Sequence, residues 1–407
     1  MQRKPPRIVW RDGNRITLLR GGSEFFPALC RAIDQAQRSV HIETYLFRLD
    51  RTGLRVLEHL RDACSRGVKV RVVLDGYGSA ADAGAIVQAI ERVGGQCRVY
   101  RPEPSGWRSF RLSHRRLRRM HRKLAVIDRR EAFVGGINIV DDLDGASDTA
   151  LSPRFDFAVA VQGPLAFDVA AAQNRLWLRF AWRRPGDWKG FYERLGHWFA
   201  RVGRDHGKHA PNFTPGVRAA LLLRDNLRNR QAIENVYLDA MDQAHDEILV
   251  ANAYFFPGRR LRHALEQAAR RGVRVRLLLQ GLAEYPLAFR ASRSMYRNML
   301  DEGIEIHEYV AGYLHAKVAV IDGQSMVGSS NMDPFSLLLA REANVFINDS
   351  AFTHGLEADL EAALRERARQ VTRQSLMRRS VVGRLIDDAS YLLLRLGVVL
   401  TGRSGEF

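Results

Sequence analysis

Two stretches hold residue types whose spacing could do chemistry. The first reads His121-Arg-Lys123-Leu-Ala-Val-Ile-Asp128 and closes on Gly135-Gly136-Ile-Asn138. The second reads His315-Ala-Lys317-Val-Ala-Val-Ile-Asp322 and closes on Gly328-Ser329-Ser-Asn331. A His and a Lys two residues apart on a strand face the same way. The apolar runs behind them, Leu124 to Ile127 and Val318 to Ile321, read as buried strands. Each copy therefore predicts a β-hairpin with an imidazole, an ammonium and a carboxamide gathered at one end. Such a set suits an anionic phosphate: Lys and Asn bind its oxygens, and His attacks phosphorus or moves a proton. Two lysines supply the charge neutralisation that a metal would otherwise give. No Cys/His cluster or carboxylate triplet at ligand spacing is present, so the scheme calls for no metal and no cofactor.

The doubled pattern H-x-K-x4-D followed by G-x-x-N resembles the phospholipase D superfamily. The resemblance implies a pseudo-two-fold site in which each hairpin supplies half, and it carries Asp128 and Asp322 into the catalytic set with His121, Lys123, His315 and Lys317. The spacing argues otherwise for the two aspartates. Each lies five residues past its Lys, across a strand, and reads as a structural turn residue. Asn138, Asn331 and Ser329 are the expected phosphate ligands. Asp156, in Arg-Phe-Asp-Phe-Ala-Val, and Glu342, in Arg-Glu-Ala-Asn-Val-Phe, each open a strand expected beside the motif strand. The resemblance makes them the acids that orient the histidines. It also assigns His121 as nucleophile and His315 as general acid and base.

The elements that must position these groups repeat as well. Arg66-Gly-Val-Lys-Val-Arg-Val-Val-Leu-Asp-Gly76 matches Arg271-Gly-Val-Arg-Val-Arg-Leu-Leu-Leu-Gln-Gly281 without a gap. The first half reads as an extended lead-in over 1–20, an amphipathic stretch over 24–37, a strand over 39–47, a helix over 52–65, a strand over 68–74, a helix over 82–93 and a short strand over 97–100. The second half repeats that order, with helices over 229–243, 259–271 and 291–302 and strands over 247–256, 273–279 and 304–309. Alternation of this kind predicts an α/β class protein of two duplicated α/β sandwich domains with a mixed sheet and a shared active site. The expected divisions are a first domain over 1–182, a connector over 183–216, a second domain over 217–364 and a C-terminal tail over 365–407.

A chain of 407 residues exceeds one compact core and fits two domains. Apolar residues make up 46% and charged residues 27%, which excludes a disordered or fibrous chain. Lys and Arg number 63 against 45 acids, a formal charge of +18 that favours an anionic partner. Cys30, Cys64 and Cys97 read as reduced, packed thiols. The basic start lacks the apolar stretch of a signal peptide, and no apolar run reaches the roughly 18 residues of a membrane span. Trp107 to Lys123 carries eight basic residues and no acid, a face suited to phosphate groups. The tail carries seven Arg between 365 and 384, then an apolar run that includes Leu385, Ile386, Leu392, Leu393, Leu394, Leu396 and Val399. This reads as an interfacial helix on an anionic membrane surface, the bland alternative being a C-terminal core helix.

Gly-Ser-Ser-Asn331-Met-Asp333-Pro334-Phe-Ser336 and the chain length narrow the resemblance to the cardiolipin synthase branch, in its shorter bacterial type without N-terminal membrane spans. The resemblance implies a phosphatidyltransferase that uses phosphatidylglycerol through a phosphatidyl-histidine, sited peripherally on the cytoplasmic side of the bacterial membrane. The alternative is a phosphodiesterase or nuclease acting on nucleic acid. The apolar tail argues against nucleic acid as partner. No motif fixes the oligomeric state.

Overall fold

The computed structural model describes residues 8–103, 118–143, 152–181, 216–225 and 229–400. The connector expected over 183–216 and most of the basic stretch after Trp107 lie outside these residues. The first half runs β1 (Arg11–Arg20), α1 (Gly21–Asp34), β2 (Ser39–Thr44), α2 (Arg51–Ser65), β3 (Lys69–Asp75), α3 (Ala83–Arg92), β4 (Gln96–Tyr100), β5 (Lys123–Ile127), β6 (Glu131–Gly135), β7 (Ser152–Phe155), β8 (Phe157–Gln162) and α4 (Pro164–Ala181). The second half runs β9 (Val217–Arg224), α5 (Ala232–Gln243), β10 (Glu247–Asn252), α6 (Arg259–Arg270), β11 (Arg274–Gln280), α7 (Pro286–Ser294), α8 (Tyr296–Asp301), β12 (Glu305–Tyr309), β13 (Gly312–Leu314), β14 (Lys317–Ile321) and β15 (Gln324–Gly328). It ends with β16 (Glu342–Asn348), α9 (Ser350–Glu366), β17 (Ala368–Val371), α10 (Arg373–Met377) and α11 (Val381–Leu400).

Strand order makes the duplication explicit. One 15-stranded sheet runs β17-β12-β11-β10-β14-β15-β16-β9-β1-β8-β6-β5-β2-β3-β4. Read outward from the central β9–β1 pair, the two halves follow equivalent orders. Within each, three strands are parallel (β2, β3, β4 and β10, β11, β12) and the hairpin strands are antiparallel, so the mixed α/β sheet expected from the sequence is present.

Local sequence explains the main elements. In α2, Gly53, Val56, Leu60 and Ala63 fall on one buried face at helical spacing, and Asp50 caps the start by accepting from the Gly53 N–H. β14 is buried at every position, as a strand covered on both faces requires. One apolar cluster packs α1, α2 and α3 on the first half's sheet and a second packs α5, α6, α7 and α8 on the other half's sheet. A third lies between the halves and joins Leu124, Val126 and Phe157 to Leu249, Val318 and Val345. That third cluster sets the two hairpins against each other.

The structure corrects several expectations. Residues 11–20 are no lead-in: β1 pairs with β8 and with β9, and so ties the halves together. Its polar alternation, Arg-Asp-Gly-Asn-Arg, hid it. The helix expected over 291–302 is two short helices, α7 and α8, meeting at Met295. α4 and α9 were not anticipated, yet both contribute to the interface cluster between the halves. The strands opened by Asp156 and Glu342 run beside β6 and β15, the second strands of the hairpins, rather than beside the motif strands.

The two faces of α11 differ: one packs on the second half's core, as the core-helix reading expects, and the other is exposed and apolar. Asp387, Ser390 and Val398 are buried, and Tyr391 and Leu394 pack on the second half's core. Leu394 therefore leaves the exposed apolar set. Val382, Leu385, Leu392, Leu393 and Leu396 are each more than half exposed on the opposite face. Among the described residues no helix is long and apolar enough to cross a membrane. Part of the tail's basic charge is paired internally, Arg369 with Glu308, Arg373 with Asp301 and Arg379 with Asp387.

Candidate active site

Each hairpin presents its motif Lys as the first residue of a fully buried strand, with the His just before it. The backbone carries these histidines across the half boundary. His121 N–H donates to the Arg341 carbonyl at 2.9 Å, and His315 N–H donates to the Phe155 carbonyl at 2.9 Å. The next residue after each carbonyl is the orienting acid. His121 Nδ1 lies 3.0 Å from Glu342 Oε1, and His315 Nδ1 lies 2.6 Å from Asp156 Oδ2. Each imidazole is thus held by a carboxylate from the other half. With Nδ1–H donating to the carboxylate, the neutral ring keeps its lone pair on Nε2.

The two lysines complete the set asymmetrically. Lys123 Nζ sits 3.1 Å from His121 Nε2 and 2.8 Å from the His121 carbonyl. Lys317 Nζ instead donates to the His315 carbonyl. Burial pushes Lys123 down to about 7, against the pull of Glu342. Burial likewise pushes Lys317 down to about 8, against Asp156. Burial lowers His121 with Glu342 opposing, and it holds His315 well below the ordinary range with Lys317 and Arg154 adding to it. Burial lifts Asp156 to about 6. These shifts describe a dry site built for an anion that would restore both ammonium charges.

Differences between the copies compensate one another. A Cβ on Gly136 would lie 2.3 Å from Asp156 Oδ1, so only glycine leaves room for the shorter acid to approach. The equivalent residue beside the longer acid is Ser329. Its hydroxyl donates to Glu342 Oε2 and accepts from the Ala343 N–H at 3.0 Å. Ser329, expected as a phosphate ligand, therefore has its proton engaged inside the protein and fixes Glu342 instead. Asn138 Oδ1 accepts from the Leu46 N–H at 3.3 Å, which turns its amide hydrogens the other way. Asn331 Nδ2 lies 3.5 Å from Ser336 Oγ, and its Oδ1 is buried without a partner.

The aspartates of the motif do not join the site. Asp128 accepts from the N–H groups of Gln37, Arg38 and Ser39, and Asp322 from those of His245, Asp246 and Glu247. Both take positive φ, +52° and +43°, a conformation aspartate tolerates. Burial raises Asp128, but its three backbone donors outweigh that and hold the carboxyl below its usual value. At about 3.3 Å per residue, β5 and β14 place these carboxylates roughly 15 Å from the lysines. They are turn clamps, and the catalytic role carried over with the motif does not fit them.

Several residues of the site were not singled out in the sequence. Tyr45 packs its ring 4.8 Å from His121, and Tyr254 lies 6.5 Å from His315. Asp75 accepts from Met120 N–H at 2.8 Å, and its counterpart Gln280 accepts from Leu314 N–H at 3.1 Å, each holding the segment that enters a motif. The Asp-Gly76 and Gln-Gly281 ends of the aligned strands were the available signal, since ligands in α/β sheets gather at the carboxyl ends of parallel strands. Arg122, counted in the basic face, is buried and paired with Glu43, and Arg119 pairs with Glu103.

Comparison with known proteins gives a consistent picture. The family described as cardiolipin synthase, PLD-like domain matches residues 29–143 and 237–364. Cardiolipin synthase B of Salmonella typhi is 39% identical over 373 residues, which cover 91% of this chain and 85% of that protein. Cardiolipin synthase B of Escherichia coli K12 is 38% identical over 377 residues, covering 92% and 86%. Among solved structures, phosphatidylserine synthase of Haemophilus influenzae matches with a TM-score of 0.69 at 14% identity, covering 96% of this chain and 95% of that one. At that identity the likeness concerns the fold alone.

Proposed function

Because the chain belongs to the cardiolipin synthase, PLD-like domain family, we propose that it joins two phosphatidylglycerol molecules into cardiolipin and releases glycerol. It is a phosphatidyltransferase. The observation that carries the reaction course is the crossed pair of imidazole–carboxylate contacts with two buried lysines between them.

In the first step His121 Nε2 attacks the phosphodiester phosphorus of one phosphatidylglycerol. The P–O bond to the headgroup breaks, and His315 Nε2 gives its proton to the departing glycerol oxygen. A phosphatidyl-histidine remains. In the second step the primary hydroxyl of another phosphatidylglycerol gives its proton to His315 Nε2 and attacks phosphorus. The P–N bond breaks, His121 is regenerated, and His315 again carries the proton. Lys123 and Lys317 neutralise the phosphoryl oxygens throughout, with Asn138 and Asn331 as further ligands. Two displacements in place of one let an alcohol compete with water for the intermediate. The division of roles is supported by the lysines. The ammonium of Lys123 faces Nε2 of His121 and favours its unprotonated, nucleophilic form, whereas Lys317 Nζ bonds the His315 carbonyl and not the ring.

The substrate lies in a membrane, and α11 offers the means of reaching it. Its outer apolar face is exposed among the described residues and is bordered by Arg384 and Arg395, the arrangement of a helix lying in an anionic lipid surface. The test is incubation of the purified chain with phosphatidylglycerol vesicles in buffer with EDTA. Cardiolipin and glycerol in equal amounts are expected, with a phosphatidyl group trapped on His121 after a rapid quench in denaturant at neutral to mildly alkaline pH. Failure to form cardiolipin would refute the activity, and a label on His315 would exchange the two roles.

A further inference from the structure

Beside His315 lies a cleft lined by Tyr254, whose ring stands 6.5 Å from that imidazole. Its floor is the end of β11. Gln280, 7% exposed, accepts from Leu314 N–H through Oε1, which fixes its amide orientation, and its Nε2 is buried without a partner. The equivalent residue in the first half, Asp75, has both carboxylate oxygens engaged by the N–H groups of Met120, Tyr77 and Gly78. Tyr254, Glu284 and Tyr285 line the same cleft as Gln280. Tyr254 OH donates to Glu284 Oε2 at 2.7 Å, and the other oxygen of Glu284 stands 3.7 Å from Arg154. A spare amide donor, a carboxylate acceptor and a phenol thus line one cleft, next to the ring that handles the alcohol proton.

We infer that this cleft, built from Gln280, Tyr254 and Glu284, is the alcohol subsite, and that it selects a polyol headgroup by bonding the hydroxyl next to the reacting one. A vicinal diol offers both what the cleft lacks and what it can satisfy. One hydroxyl oxygen accepts from Gln280 Nε2, and one hydroxyl hydrogen donates to Glu284. A simple alcohol of the same size leaves Gln280 Nε2 buried and unpaired, a cost of the kind by which hydroxyl-reading sites reject analogues. Water, the competing nucleophile, cannot span both groups. The inference rests on the phosphatidyltransferase reading and adds the part of the site that chooses the acceptor.

The test is a competition in phosphatidylglycerol vesicles supplied with isotope-labelled glycerol, ethanol or both, with every phosphatidyl product quantified and transfer to glycerol read as label entering phosphatidylglycerol. The measured quantities are the glycerol-to-ethanol transfer ratio and the transfer-to-hydrolysis ratio, each internal to one reaction. The wild-type chain should favour glycerol. Glu284→Gln and Tyr254→Phe should lower both ratios about tenfold to a hundredfold, the range for a hydrogen bond to a charged group. A merely structural role would lower transfer and hydrolysis together and leave the ratios unchanged, which would overturn the inference. So would a wild-type enzyme that transfers to glycerol and ethanol alike. If the wild-type chain transfers the phosphatidyl group to no alcohol, the transferase reading falls, and the inference with it.

Discussion

Replacing Leu385, Leu392, Leu393 and Leu396 with Ser should release the protein from anionic vesicles without unfolding it. These side chains are 62%, 62%, 58% and 54% exposed, so most of their surface is available to a bilayer and little of it supports the fold. Complete burial of a leucine contributes about 2 kcal/mol. The exposed share, roughly three fifths, gives about 1.2 kcal/mol each and about 5 kcal/mol for four. At 1.4 kcal/mol per factor of ten, the partition coefficient should drop about a thousandfold or more. Arg384 and Arg395 still add about 1 kcal/mol each near an anionic surface, so residual binding should vanish in high salt. The assay is co-flotation with vesicles of phosphatidylglycerol in a neutral lipid, with the melting temperature measured in parallel. Asp387, held by Arg290 and Arg379 on the inner face, keeps α11 docked in the variant. Flotation equal to that of the wild-type chain, at an unchanged melting temperature, would refute α11 as the docking surface.

His121→Ala and Lys317→Ala should each abolish turnover, and circular dichroism and melting should show the fold retained. Glu342→Gln should lower kcat about a thousandfold, because the amide no longer favours the Nδ1-protonated tautomer of His121, and combining it with His121→Ala should add nothing. The lysines must carry protons to hold phosphate, and burial sets Lys123 at about 7 and Lys317 at about 8 in the empty site. kcat/KM should therefore fall as pH rises through 7 to 8, and calorimetry in buffers of different ionisation enthalpy should detect proton uptake when inorganic phosphate binds. Asp128→Ala should destabilise the fold by about 1 kcal/mol in urea unfolding, since water can replace the carboxylate at the exposed donors, while the folded fraction keeps its kcat.

The chemical groups of the site were legible in the sequence because they occur twice. A single His-x-Lys has no meaning, but a copy with the same apolar run and the same Gly-x-x-Asn turn marks two hairpins. Asp156 and Glu342 were legible from their places at strand starts. Their pairing was not, since which acid meets which histidine depends on how the two halves meet, and that is set by the dispersed cluster joining Leu124 to Val318. The turn role of Asp128 and Asp322 follows from strand length, whereas the motif alone misleads. Tyr45 and Tyr254 escaped because they do not occupy matching positions of the repeat. β1 escaped because a strand paired on both edges was expected to be apolar, and the first half of this one, Arg11 to Arg15, holds no apolar residue.

The crossing of acids and histidines also governs when reactivity can first arise. His121 finds its carboxylate 221 residues further along the chain, and His315 finds its own 159 residues earlier. Neither half by itself contains an oriented imidazole, so a chain emerging from the ribosome, or one whose halves have come apart, holds only unassisted histidines. Activity therefore switches on with the docking of the halves and not with the folding of either. Appearance of phosphatidyl transfer during refolding would time that docking event directly. A chain cut between residues 182 and 216 would stay active for as long as the two pieces remained together.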